Sequence, residues 1–437
     1  MYTLMIRAED KNQYEKRTPL TPEDLGEIIA TTGARAYVQR SKKRFYPEDR
    51  YEKVGVEICD DMSPGEIILG IKEIPIEKLL PNKIYVFFSH TIKGQSANMP
   101  MLKKIMSIGS TLIDYEKIVD EKGRRLVYFG PYAGDAGAIN ILWLMGQYWN
   151  TRGIKTPFSQ VKQAIDYPSV QDAKTHLQQL SSEIKQRGLA SELSPLVFGV
   201  LGYGNVSRGA QNILNTLPVK YIEPSELPNL SKNTHSPNEV YLCVFKESDL
   251  VQKRDGSNFD LQEYYASPEK YQSRFDQYLP YISVLINAIY WENKYPRFVT
   301  WDSLKQLQRA GMRKLEGIAD ITCDVNGSIE CNVKATDSGN PAYLCDPETR
   351  SISDTLESNG ILMLATDNLP CELPHDSSTF FSNQLKQFIP NLIQADFTKP
   401  LEKSGLSRQL QNAVIVFNGK LTPKYNYLDK FIAEVKD

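Results

Sequence analysis

Two groups of residues are of types and spacings that could do chemistry. The first is Gly202-Tyr203-Gly204-Asn205-Val206-Ser207, which directly follows the apolar run Leu196–Leu201 and opens a helical pattern. A glycine turn between a strand and a helix suits a dinucleotide pyrophosphate. The first glycine allows the tight turn, the second lets the phosphates approach the backbone, and the helix N-terminus supplies free N–H groups and a favourable dipole. Gly202, Gly204, Asn205, Val206 and Ser207 are therefore candidate cofactor residues, with Ser207 standing where the third glycine of such turns falls. An ordinary turn is the plain alternative. Glu223, twenty-one residues beyond Gly202, ends the next strand candidate, where an acid accepts the adenosine ribose hydroxyls and selects NAD. Otherwise it is a solvated loop acid. Lys220 and Arg208 are close enough in sequence to serve a 2′-phosphate instead, so these residues leave NAD against NADP open.

The second group is Lys72-Glu73 and His90, each at the carboxyl end of an apolar strand candidate. Open α/β sheets bind ligands at that edge, so the two could converge on one crevice. Singly, a strand-end lysine is a solvated charge and a lone histidine a structural residue; beside a nucleotide fold they read together as a proton-transfer couple. An amine attacking a ketone must lose its proton, and a free lysine amine has a pKa of about 10.4, so a base and an acid are needed near neutrality. Arg17 and the pair Arg124-Arg125 carry planar forks that match carboxylates, with surface ion pairing as the alternative.

The elements that must position these groups alternate strand and helix. "YTLMIR" reads as a strand, and "LTPEDLGEIIATTG" as a helix with Thr21 as N-cap, Pro22 at its first position, Asp24 completing a weak capping box and Gly33 as its stop. "EIILGIKE", "KIYVFFSH" and "STLIDYE" have buried-strand length, which predicts an open, mostly parallel sheet. "YAGDAGAINILWLMGQYWNTRG" reads as a long buried helix whose small residues permit close packing, and Ala173, Leu177, Leu180 and Ile184 mark an amphipathic helix ending at Gly188. A second α/β unit begins at "PLVFGVLGYGNVSRGAQ", with further strands at "EVYLCVF", "VLINAIYW", "GIADITCD" and "GILMLATDN" and a loop or helical insertion over 248–273. The last 60 residues are helical in pattern without a core of their own, so they are expected to pack back on the first domain. The expected fold is α/β: two Rossmann-like domains with open parallel sheets. The substrate domain covers 1–150 plus 375–437 and the dinucleotide domain 151–374.

Composition narrows the function class. The 437 residues, 41% hydrophobic and 24% charged, are those of a globular chain of two to three domains, and a net charge of -2 gives no overall pull toward nucleic acid or an anionic membrane. Six cysteines without a CxxC pair, and no histidine at ligand spacing, argue against a metal site and a disulfide framework. Neither a signal nor a transit peptide is visible, and the most apolar stretch is too short to span a bilayer. A cytoplasmic protein is expected, or a mitochondrial one if the chain is a processed form.

At these residues the chain resembles lysine-ketoglutarate reductase, the NADP-linked, N-terminal half of bifunctional α-aminoadipic semialdehyde synthase. The resemblance runs through "RAEDKNQYEKRTPLTPE", "GIKEIP", "FFSHTIKGQ", "NMPML", "LIDYE", "PLVFGVLGYGNVSRGAQ", "LINAIYWE", "GSIE" and "DNLP" over nearly the whole chain. It extends more distantly to fungal saccharopine dehydrogenase and alanine dehydrogenase. It implies Lys72 as proton acceptor and His90 as proton donor, with Arg17, Gln95, Arg125 and Phe129 lining the substrate site and Glu73 and Glu116 as acids beside the catalytic pair. It also implies Asn287, Asp324 and Asn368 beside the nicotinamide cofactor. The substrates would be L-lysine and 2-oxoglutarate, the product saccharopine and the cofactor NADP(H), whereas Glu223 by itself suggests NAD(H). The chain stops after the reductase-like region, so it is expected to be monofunctional or a fragment, as a homo-oligomer or in association with a saccharopine dehydrogenase. The alternatives are NAD-linked oxidation of saccharopine and a non-catalytic nucleotide-binding sensor.

Overall fold

The computed structural model describes residues 1–230 and 235–435 and divides the chain into two compact units. The first comprises Met1–Phe129 and the segment that begins at Pro374; the second is Gly130–Leu373.

In the first unit an eight-stranded sheet runs in the order Lys420–Leu421, Val414–Phe417, Thr111–Asp114, Ile84–Phe87, Ile67–Leu69, Leu4–Ile6, Ala36–Gln39, Glu57–Cys59. The last six strands are mutually parallel, and Val414–Phe417 adds antiparallel to Thr111–Asp114. The sheet is thus parallel with an antiparallel edge pair rather than parallel throughout. Its central strands are buried on both faces, which is why they read as unbroken apolar runs. Helix Pro22–Thr32 starts as its sequence predicts: Thr21 accepts the Asp24 N–H at 3.2 Å, and Gly33 closes the helix at φ 69° with its N–H on Ile29 O. Helix Pro374–Leu385 docks here through Ser378 and Ser382, whose hydroxyls accept the Thr18 and Thr21 N–H groups at 3.1 and 3.0 Å. The first unit is thus built from two separate stretches of the chain.

The second unit holds another eight-stranded sheet: Ile352–Ser353, Ala342–Cys345, Ile361–Leu364, Gly317–Asp320, Val284–Asn287, Leu196–Leu201, Val240–Phe245, Val219–Tyr221. Six strands, from Ile361–Leu364 to Val219–Tyr221, are parallel, and Ala342–Cys345 pairs antiparallel with both Ile361–Leu364 and Ile352–Ser353. Helix Gly130–Thr151 belongs to this unit, so the first boundary falls at 129/130 and not at 150, and the second at 373/374. The reason is backbone contact with helix Asn205–Leu214. A Cβ added at Gly134 would come within 1.9 Å of Val206 O, and one at Gly209 within 1.9 Å of Pro131 O. Only glycine permits that approach. Asn140, fully buried in the long helix, is satisfied within the same unit by Glu372 at 2.8 Å and by the Ala164 N–H at 2.8 Å. The expected insertion over 248–273 contains helix Leu261–Ala266, as well as an unforeseen hairpin pairing Val251–Lys253 with Tyr271–Ser273.

Candidate active site

In the first unit, ladder bonds continue beyond the strands and fix where the chemistry-bearing residues emerge. Gly70 N–H donates to Val86 O at 3.0 Å and Phe88 N–H to Ile71 O at 3.1 Å, which brings Lys72-Glu73 and His90 out on adjoining loops at one sheet edge. His90 Nδ1 lies 2.5 Å from Glu73 Oε1, and the Lys11 ammonium lies 3.4 Å from Glu73 Oε2. Burial raises the Glu73 carboxyl, but the hydrogen bond and charge of His90 outweigh it and bring its pKa down to about 2. Glu73 is thus the ionised acceptor, and Nδ1 carries the proton. The proton His90 can exchange is then the one at Nε2, which makes no hydrogen bond among the described residues. The ring is half-exposed and stacks on Phe88, and the His90 backbone sits at φ 48° while its carbonyl accepts the Asn98 side chain at 3.1 Å.

The half-buried Lys72 stands on a rigid support. Glu9 accepts the Ile71 and Lys72 N–H groups at 2.6 and 3.0 Å and is paired with Arg7 at 3.2 Å, all of these carboxylate and guanidinium atoms being buried. Burial raises the Glu9 carboxyl above its ordinary range, and Arg7 offsets this only in part. On the His90 side, Asp114 is buried and accepts both the Ser89 hydroxyl and the Ser89 N–H, the latter at 3.0 Å. Its carboxyl is likewise raised by burial. Arg7, Glu9 and Asp114 were missed from sequence because charges flanking a strand read as solvated. The period-2 pattern of Arg7 and Glu9 after the first strand was the available signal.

The other expected substrate residues divide. Arg125 is half-exposed and pairs with Glu116 just past the strand Thr111–Asp114. Gln95, half-buried, precedes the turn Ser96–Asn98 and accepts the Lys93 N–H at 2.9 Å. Arg17 is buried and closes its fork on the equally buried Glu15, at 2.8 and 2.5 Å, while its guanidinium lies 4.2 Å from the centre of the Phe129 ring. Phe129 stacks in turn on Phe381 at 4.4 Å. The geometry makes Arg17 a support for the Phe129 wall more than an open carboxylate clamp.

In the second unit, Gly202 turns the chain at φ 90° directly after Leu196–Leu201, with its N–H on Phe245 O at 2.9 Å. Gly204 is the N-cap of helix Asn205–Leu214, and a Cβ there would point into open space, so a phosphate group has room to meet the backbone. Asn205, Val206 and Ser207 form the first turn; Ser207 is buried and accepts from Gln211 at 2.9 Å, and the close approach that a third glycine usually permits has passed to Gly209. Asn287, Asp324 and Asn368 emerge at the carboxyl edge of the neighbouring strands Val284–Asn287, Gly317–Asp320 and Ile361–Leu364. Asn287 Nδ2 donates to the buried Asp320 and to Ser328, both at 2.8 Å. Its Oδ1 is buried with no hydrogen-bond partner among the described residues, the kind of acceptor a ligand donor satisfies. Asp324 is an exposed turn residue, and Asn368 holds φ 67°. These features fit a dinucleotide. Glu223 does not: it caps the turn Pro224–Asn229 behind the edge strand Val219–Tyr221, and strand Val240–Phe245 lies between that strand and the glycine strand. A cavity of about 420 Å³ opens at the turn, lined by Gly202, Gly204, Glu247 and a set of tyrosines. Among the described residues no helix is long and apolar enough to cross a membrane.

Comparison with known proteins agrees with this arrangement. Residues 5–136 match the model for the alanine dehydrogenase/PNT N-terminal domain and residues 244–424 that for its C-terminal domain. The α-aminoadipic semialdehyde synthase of Arabidopsis thaliana is 40% identical over 97% of the chain, which spans only 41% of that protein's length. A saccharopine dehydrogenase [NAD(+), L-lysine-forming] of Emericella nidulans is 26% identical, covering 96% of this chain and 97% of its own. The solved structure of an L-alanine dehydrogenase superposes with a TM-score of 0.63 over 98% of this chain and 99% of that one at 16% identity, a likeness of fold. The chain thus carries the two domains of the alanine dehydrogenase/PNT family, the N-terminal one over residues 5–136 and the C-terminal one over 244–424.

Proposed function

We propose that the chain catalyses the reductive condensation of L-lysine with 2-oxoglutarate to saccharopine, using a nicotinamide cofactor. The observation that carries this reading is the hydrogen-bonded Glu73–His90 pair on the loop edge that also bears Lys72. Lys72 takes the proton from the attacking ε-ammonium, and the free amine adds to the ketone carbon. The His90 imidazolium, stabilised by Glu73, gives its Nε2 proton to the carbinolamine oxygen, which leaves as water. A dinucleotide held at the Gly202–Gly204 turn would supply the hydride that reduces the resulting imine. Arg125, half-exposed, has the access needed to hold a substrate carboxylate, while Arg17 braces the Phe129 wall.

The synthase resemblance favours this direction and brings NADP(H) with it. The full-length similarity to a NAD-linked saccharopine dehydrogenase favours the reverse reaction as the second reading. Both dinucleotides fit the glycine turn itself, since the turn meets only the pyrophosphate.

The test follows cofactor oxidation at the nicotinamide absorbance, with L-lysine and 2-oxoglutarate supplied separately and together. Oxidation only with both substrates is expected. Turnover with pyruvate and ammonia in their place would overturn the substrate assignment, and silence with every amine and 2-oxoacid pair would favour the nucleotide-binding sensor.

A further inference from the structure

The acid that reads the adenosine ribose is set by strand order. In dinucleotide-binding sheets that residue ends the strand beside the glycine strand, because the adenosine lies over that neighbour. Here the strand next in sequence, Val219–Tyr221, has moved outward, and Val240–Phe245 pairs along the whole of Leu196–Leu201. The neighbour therefore ends in Phe245-Lys246-Glu247. Glu247 is half-buried and lines the 420 Å³ cavity together with Gly202 and Gly204, the two glycines of the turn. Its Oε1 accepts the Tyr265 hydroxyl at 2.6 Å, which fixes the orientation of the carboxylate. Tyr264, Tyr290 and Tyr295 supply flat walls for an adenine ring. No lysine or arginine occurs among the described residues that line the cavity. Of the two cations expected to serve a 2′-phosphate, Lys220 lies on the edge strand with its ammonium 5.9 Å from the centre of the Tyr241 ring, and Arg208 is on the exposed side of its helix; neither lines the cavity.

We propose that Glu247 is the cofactor-selecting residue and that the chain takes NAD(H) in preference to NADP(H), against the cofactor its family resemblance implies. The carboxylate accepts the ribose 2′- and 3′-hydroxyls, and it meets a 2′-phosphate as a like charge in a half-buried site whose described lining holds no lysine or arginine. The proposal rests on the oxidoreductase reading only for the presence of a dinucleotide, not for its substrates.

The experiment titrates the purified full chain with NADH and with NADPH, following nicotinamide fluorescence without any amino or keto acid. Binding of NADH tighter than NADPH by about tenfold or more is expected. Glu247→Gln and Glu247→Ser should each bring that ratio toward one, chiefly by strengthening NADPH binding. Glu223→Gln should leave it unchanged. Equal or tighter NADPH binding by the natural chain overturns the proposal, as does a ratio that stays put in both Glu247 variants while their far-UV circular dichroism matches the parent. Failure of the lysine reading shows differently: the NADH preference persists, but no turnover follows with lysine and 2-oxoglutarate.

Discussion

The two units present their ligand edges in different ways. The first unit works with ionisable side chains: Lys72, Glu73 and His90 are held over a buried second layer of Arg7, Glu9, Ser89 and Asp114. The second works with backbone and shape: a positive-φ glycine, a helix N-terminus whose Gly204 cap brings no side chain, aromatic walls and one carboxylate. The difference tracks the task. A pyrophosphate needs preorganised N–H groups and close approach, whereas moving protons between two polar substrates needs groups that change charge. One edge should fail by loss of a side chain, the other by gain of one.

The largest effect expected is in the first unit. Lys72→Met should lower turnover by about 100- to 10,000-fold while dinucleotide affinity, read by fluorescence titration, stays near that of the parent; near-normal turnover would sink the base assignment. The mirror case is Gly209→Val, which adds bulk where even a Cβ would come within 1.9 Å of Pro131 O. It should destabilise the chain by about 1–3 kcal/mol or more in urea unfolding; an unchanged midpoint would mean that the helix contact is not tight. Glu73→Gln tests whether charge or only contact matters. Because the Glu73 pKa is depressed from its ordinary 4.5 to about 2, its stabilising contribution is complete above 4.5 and is lost as pH falls toward 2. The stability gap between parent and variant should close over that window, and turnover should fall by roughly tenfold with a changed pH profile. Superimposable pH profiles would remove Glu73 from the mechanism. The smallest stability effect expected is that of Arg125→Gln, whose half-exposed pair with Glu116 is worth at most about 1 kcal/mol. A several-fold rise in KM for the keto acid without a change in melting temperature would mark Arg125 as a carboxylate holder; an unchanged KM would mark it as surface.

What could be read from sequence follows the same division. The glycine turn announces itself because its residues are contiguous, and helix Pro22–Thr32 because Thr21 and Gly33 are local signals. Lys72 and His90 could be placed at strand ends because the strands before them are short apolar runs. The supporting layer was hidden: Arg7 and Glu9, 2% and 5% exposed, have the composition of a solvated strand end, and their mutual pairing, the Arg7–Asp10 pair and the backbone N–H groups donated to Glu9 together offset the cost of burying them. Helix Gly130–Thr151 went to the wrong domain because it is apolar nearly all round, so no face betrays which core it enters. The surroundings of Glu223 were not legible because sequence spacing counts residues and cannot reveal that strand 240–245, and not strand 219–221, lies beside the glycine strand.

The backbone of His90 bears on the history of the chain. At φ 48° glycine would sit without strain, while a histidine bears a cost of order 1 kcal/mol or more. Drift under selection for folding alone would favour glycine or asparagine at this position. Under the proposed mechanism that strain is the cost of holding an imidazole against Glu73, and exchange of His90 for glycine should relieve the backbone while losing both the Glu73 contact and turnover.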